Sequence, residues 1–281
     1  MTNINFEKRM KSPFRSWSFW RFLTIILIVY CGLGIAFYYL QEKFLFHPLP
    51  LPADYTYHFT RPFREVNIAV NKNENLNVVQ FFPGDSIRKG VVLYFHGNRQ
   101  NINRYAKFAD NFTGHGYEVW MPDYPGFGKT TGELTERKLY NLASVIYTLA
   151  KTKYAADQII IYGKSFGTGI ASQLAAVKDC RLLILETPYY SIPDLFNCYA
   201  PIYPMGLISH FKIPTYQYLP DVNAPVTIFH GTEDEVILYR CAVKLKKVLK
   251  PGDEFITIKK GKHNNLHNFD IFHHKLDSLL K

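Results

Sequence analysis

The chain is 281 residues long, 47% hydrophobic and 20% charged, with 17 Gly and 16 Pro, which excludes a disordered, collagen-like or coiled-coil protein and leaves room for one large domain or two small ones. Its 33 Lys and Arg against 23 Asp and Glu give a formal charge of +10. No Lys/Arg-dense stripe with interleaved aromatics and no nucleic-acid module accompanies that charge, so nucleic acid is not expected as a partner.

Residues 1–21 carry Lys8, Arg9, Lys11, Arg15 and Arg21 against the single acid Glu7. Phe22 to Leu40 then runs for 19 residues without a charge, long enough at about 1.5 Å per residue to cross a hydrocarbon core of about 30 Å. Trp17 and Trp20 on one flank and Tyr38 and Tyr39 on the other are suited to the two interfaces. A cleaved signal peptide is the rival reading, but the run exceeds a usual h-region and bulky Phe37, Tyr38, Tyr39 and Leu40 stand where small cleavage-site residues are needed. The sequence therefore predicts a basic cytoplasmic tail at 1–21 and an uncleaved transmembrane anchor at 22–40. Lys43 alone follows the span within twenty residues, which predicts that the rest of the chain is translocated to the periplasmic side in a bacterium, or the lumenal or extracellular side in a eukaryote.

Residues 41–63 are rich in Pro and aromatics, poor material for a helix, and predict an extended strap. Runs Arg64–Val70 and Leu76–Phe82, joined by an Asn-rich turn, read as an antiparallel hairpin. Val91–Phe95 is a short continuous apolar run of the kind buried on both faces. Further strands are expected at 117–121, 158–162, 181–185, 225–229 and 255–258, with helices at about 102–113, 133–152, 167–177 and 238–249. That alternation predicts a mostly parallel sheet covered by helices on both faces. The Pro-rich, aromatic stretch at about 188–222 interrupts the rhythm as an insert. Cys31 lies in the span, and Cys180, Cys198 and Cys241 form an odd set. A disulfide framework is not expected, although one pair could bridge in an oxidising compartment, and no zinc pattern exists.

The strand at 158–162 runs into Gly163-Lys164-Ser165-Phe166-Gly167, a G-x-S-x-G nucleophile elbow in which a sharp strand-to-helix turn lifts the serine hydroxyl above the sheet. Here the sequence resembles the α/β-hydrolase superfamily, whose serine hydrolases order their triad Ser, then Asp or Glu, then His. The resemblance implies Asp234, in the turn Gly231-Thr232-Glu233-Asp234-Glu235 after the strand at 225–229, as the acid, with Glu233 and Glu235 as solvated neighbours. It implies His263, in Gly261-Lys262-His263 after the last strand, as the base. Ser165 is a weak nucleophile until a base takes its proton, His263 titrates in the useful range, and Asp234 would fix the imidazole's tautomer. Among the other histidines, His267, His273 and His274 fall in or beside the terminal helix and read as surface or packing residues, while His230 and His96 sit at strand ends before Gly. Two backbone N–H groups must face the developing oxyanion. One is expected at Phe166, and the family's His-Gly pattern, here His96-Gly97, implies the other at Asn98, with Arg99 as its neighbour. Pro122 to Thr130 resembles the superfamily's D-x-x-G-x-G-x-S turn, with Thr130 in the Ser position and Pro125 where an Arg is often found.

The resemblance covers about residues 60–281, so the expected fold is an α/β-hydrolase domain at 64–281 with a short cap insert. Together with the anchor, it looks like the single-span members related to monoacylglycerol lipases, lysophospholipases and acyl-protein thioesterases. That implies cleavage of carboxylic esters or thioesters, with a small or lipid-like acyl ester as substrate and the insert as a cap over the acyl pocket. No cofactor is expected. No metal is expected either, since His263 and His267 are four apart but no third ligand is signalled. A serine peptidase acting on short peptides and a non-catalytic, membrane-tethered interaction module are the alternatives.

Overall fold

The computed structural model describes residues 13–84 and 88–281, with side chains from residue 19 onward. The predicted tail residues Lys8, Arg9 and Lys11 lie outside the described residues. The chain divides into two units, the first ending at Glu42 and the second comprising Lys43–Lys281.

The first unit is the greater part of one helix, Pro13–Leu45. Its stretch Phe19–Leu45 contains an 18-residue window of mean hydropathy 2.2, none of it buried. Large apolar side chains such as Ile25, Leu27, Ile28 and Leu33 are about 60% exposed, and the helix is long and apolar enough to cross a membrane. The helix continues through Phe44 and Leu45, which the sequence assigned to the extended strap. Gln41, Glu42 and Lys43 are good helix formers and carry the helix onward, and Pro48 then ends it, because the residues before a proline are driven from helical geometry.

In the second unit, strand β1 (His47–Pro48) is followed by β2 (Phe63–Ala69), β3 (Asn75–Phe81), β4 (Gly90–Phe95), β5 (Arg99–Gln100), β6 (Tyr117–Pro122), β7 (Ile159–Lys164), β8 (Leu182–Glu186), β9 (Val226–Gly231) and β10 (Glu254–Ile258). Eight of them form one sheet in the order β10-β9-β8-β7-β4-β6-β3-β2. The hairpin β2–β3 and the contact of β3 with β6 are antiparallel and every other pairing is parallel. Strands β4, β6, β7, β8 and β9 are buried along their whole length, as continuous apolar runs between two helical layers require. Burial of each Val, Leu or Ile there is worth roughly 1.5–3 kcal/mol.

The helix Glu136–Lys151 shows how sequence selects the layer. Thr135 caps it, accepting from Lys138 N at 3.3 Å, and Leu139, Leu142, Ala143, Ile146 and Ala150 recur on one buried face. The helix expected at 102–113 is instead three short pieces, a 3₁₀ turn at Ala106–Ala109 between α-turns Ile102–Tyr105 and Asp110–Thr113. Asn, Asp, Thr and Phe give this run low helix propensity, and its buried Ile102, Tyr105, Ala109 and Phe112 are placed equally well by tighter turns. The helix expected at 238–249 likewise breaks after Ala242 into a 3₁₀ segment.

The strap crosses the sheet in extended form. Tyr55, Tyr57 and Phe59 alternate, and Phe59 packs its ring 5.0 Å from Phe63 and 5.1 Å from Phe81. The insert between β8 and β9 holds short helices Ile192–Asn197, Met205–Ile208 and Thr215–Tyr218. Its Tyr189, Phe211, Ile213 and Leu219 are buried in the same core as Phe166 and Ile170. A disulfide joins Cys198 of the insert to Cys241. The remaining thiol of this unit, Cys180, is pushed up to about 12 by burial.

Candidate active site

β7 delivers the chain to Ser165 with φ +52°, a left-handed conformation costing a non-glycine residue of order 1 kcal/mol or more. Neighbouring glycines make the turn possible. A Cβ on Gly163 would stand 2.6 Å from Gly167 O, and one on Gly167 would stand 2.1 Å from Phe95 O. The turn is held by Ser165 N donating to Glu186 O at 2.8 Å and by Thr168 N donating to Ser165 O at 2.9 Å.

Ser165 Oγ lies 2.9 Å from His263 Nε2, and His263 Nδ1 donates to Asp234 Oδ2 at 2.9 Å. All three side chains are buried. Asp234 sits in the turn after β9, and His263 in the loop after β10. Close contact of Gly231 with Gly261 brings the two loops together, since a Cβ on Gly231 would fall 2.1 Å from Gly261 O. Asp234 Oδ1 accepts from Val236 N at 2.9 Å and from Ile237 N at 2.8 Å. Burial alone would raise this carboxyl, but the His263 hydrogen bond and charge, with His230 and Ile237 N–H adding to them, hold it below the usual carboxylate value. The rival acids Glu233 and Glu235 are exposed.

Phe166 and Asn98, the expected oxyanion donors, both flank the nucleophile. Neither backbone N–H is taken by a backbone acceptor among the described residues. A Cβ on Gly97 would come 3.6 Å from Ser165 Cβ, so the His96–Asn98 loop rests against the serine. His96 itself is buried between Tyr105 and Tyr124, with its Nε2 3.1 Å from Asp123 Oδ1. Asp123 Oδ1 also accepts from Ile102 N at 3.0 Å, and Thr130 Oγ1 accepts from Asn77 N at 3.0 Å, so the Pro122–Thr130 turn braces this loop.

Two features gave no sequence signal. Buried Lys164 donates to Glu186, which also accepts from the Tyr162 hydroxyl. Buried His230 donates from Nε2 to Ile237 O at 2.8 Å and lies 3.5 Å from Asp234 Oδ2, where burial lowers its pKa. Only pairings across strands and turns create either contact. His267 lies apart from the triad, its backbone carbonyl accepting from His273 Nε2 at 2.6 Å. Among the described residues, Asp194, Cys198 and Cys241 are grouped closely enough for a metal. There the two sulfurs are bonded to each other and Asp194 Oδ1 accepts from Lys244 Nζ at 2.6 Å, so the donor set does not suit one.

Ser165 and His263 open on a cleft of about 350 Å³. Its lining is largely polar, including Arg99, Arg104, Tyr105 and Asn264, with Phe44 and Val236 as apolar members. No lining residue comes from the insert at 188–222. Of the insert's aromatic residues, Tyr189 and Phe211 are buried in the core, while Tyr199 is exposed and donates its hydroxyl to Glu235 O at 2.9 Å and Val236 O at 3.0 Å.

A family model described as serine aminopeptidase, S33, matches residues 86–213. Similar curated proteins are alpha/beta hydrolase domain-containing protein 17C of Xenopus tropicalis, 27% identical over 63% of this chain and 56% of that one, and protein 17B of Homo sapiens, 28% identical over 63% and 62%. The chain spans a little over half the length of these relatives. Among solved structures, the Pyrococcus furiosus esterase Pf2001 matches with a TM-score of 0.64 at 17% identity, covering 84% of this chain and 97% of that one. Est1E from Butyrivibrio proteoclasticus with bound ferulic acid matches with 0.63 at 19%, covering 76% and 97%.

Proposed function

We propose that this chain, an α/β-hydrolase by fold, is a serine hydrolase held at a membrane by its N-terminal helix, cleaving carboxylic esters or thioesters of lipid-like acyl groups through an acyl-enzyme on Ser165. The observation that carries the reading is the continuous relay from Ser165 Oγ through His263 to Asp234, at 2.9 Å for each link. In this mechanism His263 Nε2 takes the Ser165 proton as Oγ attacks the carbonyl, and the Phe166 and Asn98 N–H groups receive the oxyanion. The imidazolium, stabilised by Asp234, then protonates the leaving alcohol or thiol. Water repeats the sequence to free the acid. The acyl chain leaves the polar cleft along Phe44 and Val236, which are 64% and 42% exposed.

The catalytic domain lies on the translocated side in this reading. The Lys/Arg asymmetry around the span supports that side, as does the bond between Cys198 and Cys241, which a reducing cytosol would not maintain. Non-reducing peptide mapping of the native membrane protein should recover that link. Free thiols at both positions would overturn the orientation.

The description of the matched family model favours peptide bonds as a second reading. Comparing p-nitrophenyl acyl esters of rising chain length with aminoacyl p-nitroanilides decides between them. Faster turnover of the esters, improving with chain length, is expected. Faster turnover of the nitroanilides would replace ester hydrolysis with peptidase activity.

A further inference from the structure

The walls of the cleft differ in charge. Arg99 follows Asn98 on the loop expected to hold the oxyanion, and Arg104 lies on the next helical turn. Both line the cleft with Ser165 and His263. Most other cations of the domain that approach the site's supporting elements are spent on acceptors: Lys164 on Glu186, Arg88 and Lys153 on Glu118, Lys244 on Asp194 and Arg240 on Cys198 O. Among the described residues, neither Arg99 nor Arg104 forms an ion pair. The buried Tyr105 is hydrogen-bonded to the Arg99 backbone and to the Arg104 side chain. A Cβ on Gly97 would fall 2.7 Å from its hydroxyl, and that same position is 3.6 Å from Ser165 Cβ, so Tyr105 links this wall to the nucleophile. The one carboxylate among the lining residues, Glu235, belongs to the acid turn on the other wall.

We propose that Arg99 and Arg104 form an anion subsite, so that the preferred substrate is an acyl ester bearing a phosphate or carboxylate close to the scissile carbonyl. A guanidinium outside any ion pair presents a planar fork of donors matched to either group, and although Arg104 also reaches the Tyr105 hydroxyl, neither arginine gives up a carboxylate when the anion arrives. The polar lining beside Ser165 then receives the charged portion of the ester while the acyl chain follows Phe44 and Val236 outward. Exposure of both arginines makes the preference sensitive to salt. This inference rests on the ester-hydrolase reading and adds a substrate class to it.

The test uses the full chain and three substrates of one acyl-chain length: an acyl glycerol, its 3-phosphate and an acyl glycerate. In the parent, kcat/KM for one or both anionic esters should exceed that for the neutral ester by about tenfold to a hundredfold, the range expected of one or two charge-assisted hydrogen bonds. Phosphate and carboxylate are separated by which of the two is favoured. In the double variant Arg99→Gln, Arg104→Gln the ratio of anionic to neutral kcat/KM should fall at least tenfold, and 0.5 M salt should lower it in the parent. Arg137→Gln, which removes one positive charge from an exposed site on another helix, should leave the ratio as it is. An unchanged ratio in the double variant, or a parent that favours the neutral ester, overturns the subsite while leaving ester hydrolysis intact. A parent that hydrolyses none of the three overturns the ester reading itself.

Discussion

The His47 backbone N–H donates to the Asn98 carbonyl at 2.9 Å, so the segment that follows the apolar helix is hydrogen-bonded to the loop proposed to bind the oxyanion. The contact is reinforced on both sides. Asn98 Nδ2 donates to the Leu45 carbonyl, and Leu49 N donates to Gln100 O at 3.1 Å. Phe46, buried between these links, sets its ring 5.0 Å from Phe166 and 4.9 Å from Phe211. The strap is therefore a structural part of the proposed site, and its removal would reach chemistry as well as attachment.

That relationship predicts a kinetic effect of one backbone donor. His47→Pro deletes the N–H, while His47→Ala removes the same imidazole and keeps the N–H. The Pro variant should show a kcat on a p-nitrophenyl ester about tenfold below the Ala variant with similar KM, a fraction of the 10²–10³ lost when an oxyanion donor is removed outright. Phe59→Ala, on the strap but distant from Asn98, should lower the thermal midpoint without lowering kcat. Equal kcat in the two His47 variants would show that the strap does not position the loop.

Lys164 and Glu186 are each 3% exposed and bonded to each other. Removing one partner leaves the other charge buried and uncompensated, so Lys164→Met should cost about 3–5 kcal/mol of stability. Adding Glu186→Gln, which keeps an acceptor for the Tyr162 hydroxyl, should return most of that loss. Chemical denaturation of the single and double variants measures it, and a double variant no better than the single would contradict the pairing.

His230 predicts a pH dependence of stability. Burial lowers its folded-state pKa from 6.5, so the unfolded chain binds a proton at a higher pH than the folded one. Stability is then fully present above about pH 6.5 and is lost as the pH falls toward the lower folded value, by up to about 1.4 kcal/mol per pH unit. The thermal midpoint of the parent should drop between pH 7 and pH 5. A His230→Gln variant should show a shallower slope, and an identical slope would exclude His230 as its source.

Much of this arrangement was legible in the sequence, and the remainder has identifiable physical reasons for being hidden. The continuous apolar runs and Gly-flanked turns marked the strands within one or two residues, and Ser165, Asp234 and His263 each fall at the end of a strand, where the structure brings them within hydrogen-bond distance. Strand ends are set by local pattern, which a single sequence carries. The parallel pairing of His47–Pro48 with Arg99–Gln100 joins segments about fifty residues apart, and two-residue strands leave no periodic trace. The Cys198–Cys241 bond depends on how the insert folds back toward the acid turn, for which Cys spacing is silent. The insert's aromatics were expected over an acyl pocket. Composition cannot distinguish rings that roof a cavity from rings that fill a core, and Tyr189 and Phe211 fill it.

The central claim is that Ser165, activated by His263, is a working nucleophile. Membranes carrying the full chain should be treated with a fluorescent fluorophosphonate, beside Ser165→Ala, His263→Ala and Asp234→Asn. The account predicts strong labelling of the parent, none of Ser165→Ala, and labelling slowed by several orders of magnitude in the other two, since a lost base or wrong tautomer leaves the serine hydroxyl unactivated. A folded parent that does not label, or a Ser165→Ala variant that labels as well as the parent, would contradict it.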